Sequence, residues 1–199
     1  PYRALDFMYG ASAILKGVVV AEGFTAKTVD FGCELFKLCN KDVKKYYYVQ
    51  QQYYLNPTCD DAEVMAVIEK FHKVIIDWFR TNPSRYIGIS IFSRWTHRAG
   101  LDICKLVRDA GITSKIVIGG RGAPIRPALW IQDGLTSFEK TMSFCDILKK
   151  RKLVDNVIIG DGEDAILEVL RGQPLAENHY KEEFTTAAVS YTHLTLPTI

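Results

Sequence analysis

Ile116, Val117 and Ile118 lie unbroken between a lysine and a glycine pair in Lys115-Ile116-Val117-Ile118-Gly119-Gly120-Arg121-Gly122-Ala123-Pro124. This run constrains the fold of the chain more than any other stretch. It offers water no polar side chain, so it reads as a strand covered on both faces, and such strands belong to parallel sheets lying between helices. Gly119, Gly120 and Gly122 follow at once. At the carboxyl end of a parallel strand, glycines let the backbone take positive φ and approach a ligand closely, and in open α/β sheets ligands bind along that edge. Glycines also close tight turns that have no further purpose, so this stretch alone leaves both readings open.

Two further segments repeat the pattern. Tyr86-Ile87-Gly88-Ile89-Ser90-Ile91-Phe92 reads as a second buried strand, opening into the polar loop Ser93-Arg94-Trp95-Thr96-His97-Arg98. A helix is expected from Ala99 to Ala110, with Leu101, Cys104, Leu106 and Val107 apolar and Gly111 at its end, which makes Tyr86 to Gly120 a complete βαβ unit. Asn156-Val157-Ile158-Ile159 reads as a third buried strand, followed by Gly160-Asp161-Gly162-Glu163 and a short helix from Asp164 to Leu170. Neither glycine loop matches G-x-G-x-x-G or a P-loop.

Upstream, the apolar spacing of Ile14, Leu15, Val18 and Val19 predicts a helix over Ala11 to Glu22, with Gly23 just past its end. Thr25 to Phe31 is rich enough in β-branched residues to read as a strand. The tyrosines between Gly32 and Thr58 read as irregular packing against the sheet edge, with an aromatic platform for a flat ligand as the other reading. Asp60 and Glu63 mark the start of a long helix whose face carries Val64, Val67, Ile68, Phe71, Ile75, Trp78 and Phe79, and Pro83 stops it. Thr136 and Glu139 signal one more helix, running to about Arg151. His72 falls on the long helix and His97 in a loop, and neither has a second ligand at metal-binding spacing.

At 199 residues the chain has the size of one α/β domain, or of one domain with an appendage. Its 25 Lys and Arg nearly balance 23 Asp and Glu, for a formal charge of +2, so no global attraction to nucleic acid or an anionic membrane follows. Apolar runs such as Val18 to Ala21 are too short to span a bilayer, and no secretory signal is visible. Five cysteines contain no C-x-x-C pair, which argues against a disulfide framework and a common zinc site and fits a reducing cytoplasm.

Three of these features occur together and in order: Gly88-Ile89-Ser90-Ile91-Phe92, Ile118-Gly119-Gly120 and Ile159-Gly160-Asp161-Gly162-Glu163-Asp164. Together they resemble the N-terminal cobalamin-binding domain of B12-binding radical S-adenosylmethionine (radical SAM) proteins. There a Ser-x-Leu turn precedes Gly-Gly at a spacing like the 26 residues (93 to 118) seen here, and Phe92 departs from the pattern by type. A Gly-(Glu/Asp)-Gly-Glu loop, matched by Gly160 to Glu163, is typical of the radical enzymes. The resemblance covers roughly Pro1 to Gly172. It implies a three-layer α/β/α fold with a doubly wound, flavodoxin-like parallel sheet in the order 2-1-3-4-5, whose first strand is absent or hidden within Tyr2 to Met8. It also implies cobalamin held by Ser90, Phe92, Ser93, Arg94, Thr96, Gly119, Gly120, Arg121, Gly160, Gly162 and Glu163, with Arg98 joining Arg94 and Arg121 on the same edge.

Two motifs are missing, one found in many cobalamin proteins though often lacking in those that resemble the radical family, the other belonging to radical SAM catalysis. Asp6-Phe7-Met8-Tyr9-Gly10-Ala11 has no histidine where Asp-x-His-x-x-Gly would stand, which implies cobalamin without a protein histidine ligand. No Cys-x-x-x-Cys-x-x-Cys occurs, so the 4Fe-4S cluster, S-adenosylmethionine and the catalysis of the parent would belong to a downstream radical SAM domain, the expected partner. Residues 173–188 read as the linker toward it. Val189 to Ile199 resemble a translated adapter rather than natural sequence. The rival readings are a cofactor-free docking module of the same fold and a flavin or nucleotide domain.

Overall fold

A computed structural model describes residues 10–56, 58–127 and 134–173. In chain order its elements are α1 (Ala11–Ala21), α2 (Phe31–Leu38), α3 (Val43–Tyr54), α4 (Ala62–Thr81), β1 (Tyr86–Ser90), α5 (His97–Asp109), β2 (Lys115–Gly119), α6 (Phe144–Lys150), β3 (Asn156–Ile158) and α7 (Gly162–Leu170). The strands form an open parallel sheet in the order β1-β2-β3, with Ile87 opposite Ile116 and Ile118 opposite Val157. Among the described residues no helix is long and apolar enough to cross a membrane.

Side chains alternate along a strand. Ile116 and Ile118 of β2 therefore share one face with Ile87, Ile91 and Val157, in a core completed by α4, α5 and α6. Val117 faces the other way and packs with Ile158 against Ala165 and Val169 of α7. Two-sided burial thus holds for β2. It fails for β1, which borders the sheet among the described residues: Ile87 is buried but Gly88 and Ser90 are exposed. Nothing lies within 4 Å of a side-chain carbon placed at Gly88. The strand also stops at Ser90 rather than Phe92, whose ring is 53% exposed.

α7 covers the second face, and α1 packs against α7. Leu15 contacts Gly162 at the start of α7, while Glu22 beyond the end of α1 pairs with Arg171 beyond the end of α7. The two helices therefore run in the same direction.

The long helix forms as its apolar spacing predicts, with Val64, Val67, Ile68, Phe71, Ile75 and Phe79 buried. Its cap is Asp61 rather than Asp60: the Asp61 carboxylate accepts from the backbone N–H of Glu63 (2.9 Å) and Val64 (3.0 Å), an arrangement contributing about 1 kcal/mol. α2 and α3 pack on α4. The Phe31 ring stands edge-on to Phe71, Trp78 and Phe79, and Tyr46, Tyr53 and Tyr54 are buried. The tyrosine-rich stretch is thus an ordered helix on a helical layer, not irregular packing on the sheet.

Thr25 to Phe31 is not a strand. Asp30 accepts from the N–H of Gly32 (2.9 Å) and Cys33 (3.4 Å), so Phe31 already begins α2, and Thr25, Lys27 and Thr28 are exposed. Among the described residues no strand lies beside this segment to complete a ladder. The helix expected from Thr136 to Arg151 is divided as well. Thr136 and Glu139 do form reciprocal hydrogen bonds, but around the 3-10 turn Glu139–Thr141. Met142 is extended and Ser143 caps α6 afresh. Glu139, 4% exposed, is bound by both Nε and Nη2 of Arg151, at 2.9 and 3.0 Å. The segment proposed as a hidden strand, Tyr2 to Met8, lies outside the described residues. So do all but the first residue of the 173–188 linker and the whole 189–199 tail.

Candidate functional site at the carboxyl edge of the sheet

The carboxyl ends of three parallel strands meet at this edge: Ser90, Gly119 and Ile158. Pairing between the first two chains continues past the strands, since Ile91 N–H donates to the Gly119 carbonyl (2.8 Å) and Gly122 N–H donates to the Ile91 carbonyl (2.7 Å). The loop after β2 thereby lies flat on the loop after β1. A β-carbon at Gly120, where φ is +96°, would sit 2.8 Å from the Ile91 carbonyl oxygen and 3.2 Å from Ser90 Oγ. One at Gly122 would sit 2.6 Å from the Ser93 nitrogen, and one at Gly119 3.0 Å from the Ile158 carbonyl oxygen. These three glycines are required by the protein's own backbone.

Gly160, two residues beyond β3, behaves otherwise. Its φ is +95°, yet nothing lies within 4 Å of a β-carbon placed there. Gly162 opens α7 against Leu15, and Glu163 stands in the first turn of that helix, where a carboxylate complements the helix dipole.

The structure thus pairs Ser90 with Gly119 across the strands and sets it against Gly120, while Ser93 lies against Gly122. Thr96 joins them by donating from Oγ1 to the Ser93 carbonyl at 2.8 Å. Phe92, Arg94 and Arg121 are exposed on the same two loops, while Gly160, Gly162 and Glu163 follow the neighbouring strand. Arg98 does not join them. Its guanidinium donates to the Asn56 carbonyl and lies over the Tyr53 ring, turned toward α3.

His97 is the residue that sequence reading misplaced. It is the first residue of α5, fully buried, with its ring stacked on Phe144 at 4.1 Å and Nε2 2.8 Å from the Gly122 carbonyl. A carbonyl only accepts, so Nε2 carries the proton and Nδ1 is a buried lone pair without a hydrogen-bond partner. Burial pushes its pKa down to about 4 against the raising effect of the Gly122 bond, and the ring is neutral at ordinary pH. His97 fastens the glycine loop to the start of α5. No local pattern announced it, because Gly122 lies 25 residues away.

Among the described residues no three His, Cys, Asp or Glu side chains gather as a metal site. Cys104 is driven up to about 12 by burial, and Cys39 and Cys145 are also raised by burial, so these thiols are inert. A shallow cavity of about 250 Å³ lies elsewhere, between α3 and α4, lined by Lys44, Lys45, Tyr48, Val49, Glu63 and Val64. No protein-family profile matches the chain, and neither the curated proteins nor the solved structures yield a match.

Proposed function

We propose that this domain holds a cobalamin-type cofactor on the carboxyl edge of its sheet, as the corrinoid-binding domain of a B12-dependent radical SAM protein. The observation that carries the reading is the repetition at Gly120 and Gly160: two successive strands deliver a glycine at φ +96° and +95° to one edge. In this reading β1, β2 and β3 are the last three strands of the order 2-1-3-4-5, and the unpaired side of β1 is where the first strand of that order would pair.

The residues fit such a group in part. The open ground runs over Gly88 and Ser90 and the Gly160 turn, where a flat or nucleotide-like ligand meets backbone, hydroxyl and, from Arg94 and Arg121, guanidinium groups suited to phosphate. Among the described residues no histidine fits as a ligand to cobalt, because His97 is closed on Gly122 and His72 lies on α4. Bound cobalamin would supply methyl-transfer or radical chemistry to a downstream domain carrying the cluster and S-adenosylmethionine. Ser90, Ser93, Thr96 and the glycines would orient it.

The second reading, a docking module without cofactor, is favoured by the packing of Gly119, Gly120 and Gly122, which the protein itself fills. Mixing the full chain with hydroxocobalamin and desalting distinguishes the two. Retained corrin absorbance, lost in a Ser90→Trp variant, is the expected result; no retention by a folded chain overturns it in favour of docking. Retention of FMN instead would assign the edge to a flavin.

A further inference from the structure

α3, α4 and α5 meet around polar side chains that the sheet edge does not use. Arg98, in the first turn of α5, donates from Nη1 to the Asn56 carbonyl at 3.0 Å, and its guanidinium lies 4.3 Å from the Tyr53 ring centre. Tyr53 stands edge-on to the His72 ring of α4 at 6.0 Å. One turn along α5 is Asp102, whose Oδ2 is buried without a hydrogen-bond partner, as is His72 Nε2. Residues four apart on a helix are neighbours, so the Asp102 carboxylate lies within reach of the same guanidinium that the structure shows on Asn56 and Tyr53.

We propose that Arg98 is a two-position latch set by the proton on Asp102. With Asp102 protonated, Arg98 holds Asn56 and Tyr53 and ties the start of α5 to the α3–α4 connection. With Asp102 ionised, the guanidinium turns to the carboxylate and the connection is released. The groups facing Asp102 are Arg98 and Lys105 from its own helix and Tyr53 and Tyr54 from α3, while α4 brings His72 with Glu69 beside it. Burial pushes the Asp102 carboxyl up to about 6, against the opposing pull of Arg98, Tyr53 and Lys105. Burial, with Arg98, pushes His72 below its ordinary value. The latch is independent of any cofactor.

Hydrogen exchange of the full chain, corrected for intrinsic exchange rates, tests this. Protection of Asn56 and Thr58 should fall several-fold as pH rises from about 5 to about 7, while an Asp102→Asn variant stays protected throughout. Carbon-13 titration of the Asp102 carboxyl in the unmodified chain requires no variant and should give a midpoint near 6. A midpoint near 4, or corrected exchange profiles that coincide in the two proteins, overturns the proposal.

Discussion

Gly120 and Gly160 occupy the same place in successive βα units and have almost the same φ, +96° and +95°. Around Gly120 the backbone of Ile91 leaves no room for a side chain; around Gly160 there is open space. One backbone conformation thus serves two ends. The first glycine lets two loops close on each other, and the second leaves a turn open at the mouth of the sheet. A glycine at the end of a parallel strand therefore signals positive φ, and only its neighbours decide whether a ligand or the protein takes the space.

Alanine at Gly120 gives the largest effect that can test this contrast. It combines left-handed strain with a 2.8 Å approach to the Ile91 carbonyl oxygen, and a loss of about 3 kcal/mol or more is expected in urea unfolding. A loss as small as that at Gly160 would erase the contrast. His97→Phe keeps the stack on Phe144 but removes the donor to Gly122, and should cost about 1 to 2 kcal/mol. It should also change the pH dependence. The folded pKa of His97 lies below the unfolded value, so the unfolded chain binds the proton first and wild-type stability falls as pH drops from about 6.5 toward about 4. Thermal unfolding across that range should lose this slope in the variant. At Gly160 alanine meets strain alone, about 1 kcal/mol, with no change in packing. Ser90→Ala is the smallest: its exposed hydroxyl should matter by less than about 0.5 kcal/mol, so any loss of corrin retention in that variant reports contact with the ligand rather than folding.

The legible parts of the sequence were those where one period ran long enough to exclude others. β2 could be read because Ile116, Val117 and Ile118 permit only two-sided burial, and α4 because its apolar positions repeat from Val64 to Phe79, about four turns. Thr25 to Phe31 misled because composition favours a strand, whereas a single carboxylate, Asp30, decides the matter by capping a helix. Gly88 gave no sign that one face of β1 is open, since burial belongs to the neighbouring elements and not to the strand. His97 and Arg98 are adjacent in sequence but turn toward different partners, Gly122 and Asn56, and neither separation leaves a local trace. At the candidate site the positions of the glycines were readable; whether their space was filled was not.

Helix α1 has a single buried residue, Val19, and it is tied to α7 by the Leu15 contact at Gly162 and by an exposed ion pair, Glu22 with Arg171. Exposed ion pairs contribute at most about 1 kcal/mol, so α1 should detach in a local opening well before the sheet is disturbed. The end of α7 on which Leu15 rests is the one that follows the Gly160 turn. Whatever settles in that turn would therefore make α1 harder to lift, and α1 in place would make the turn better defined, by the same free energy in each direction.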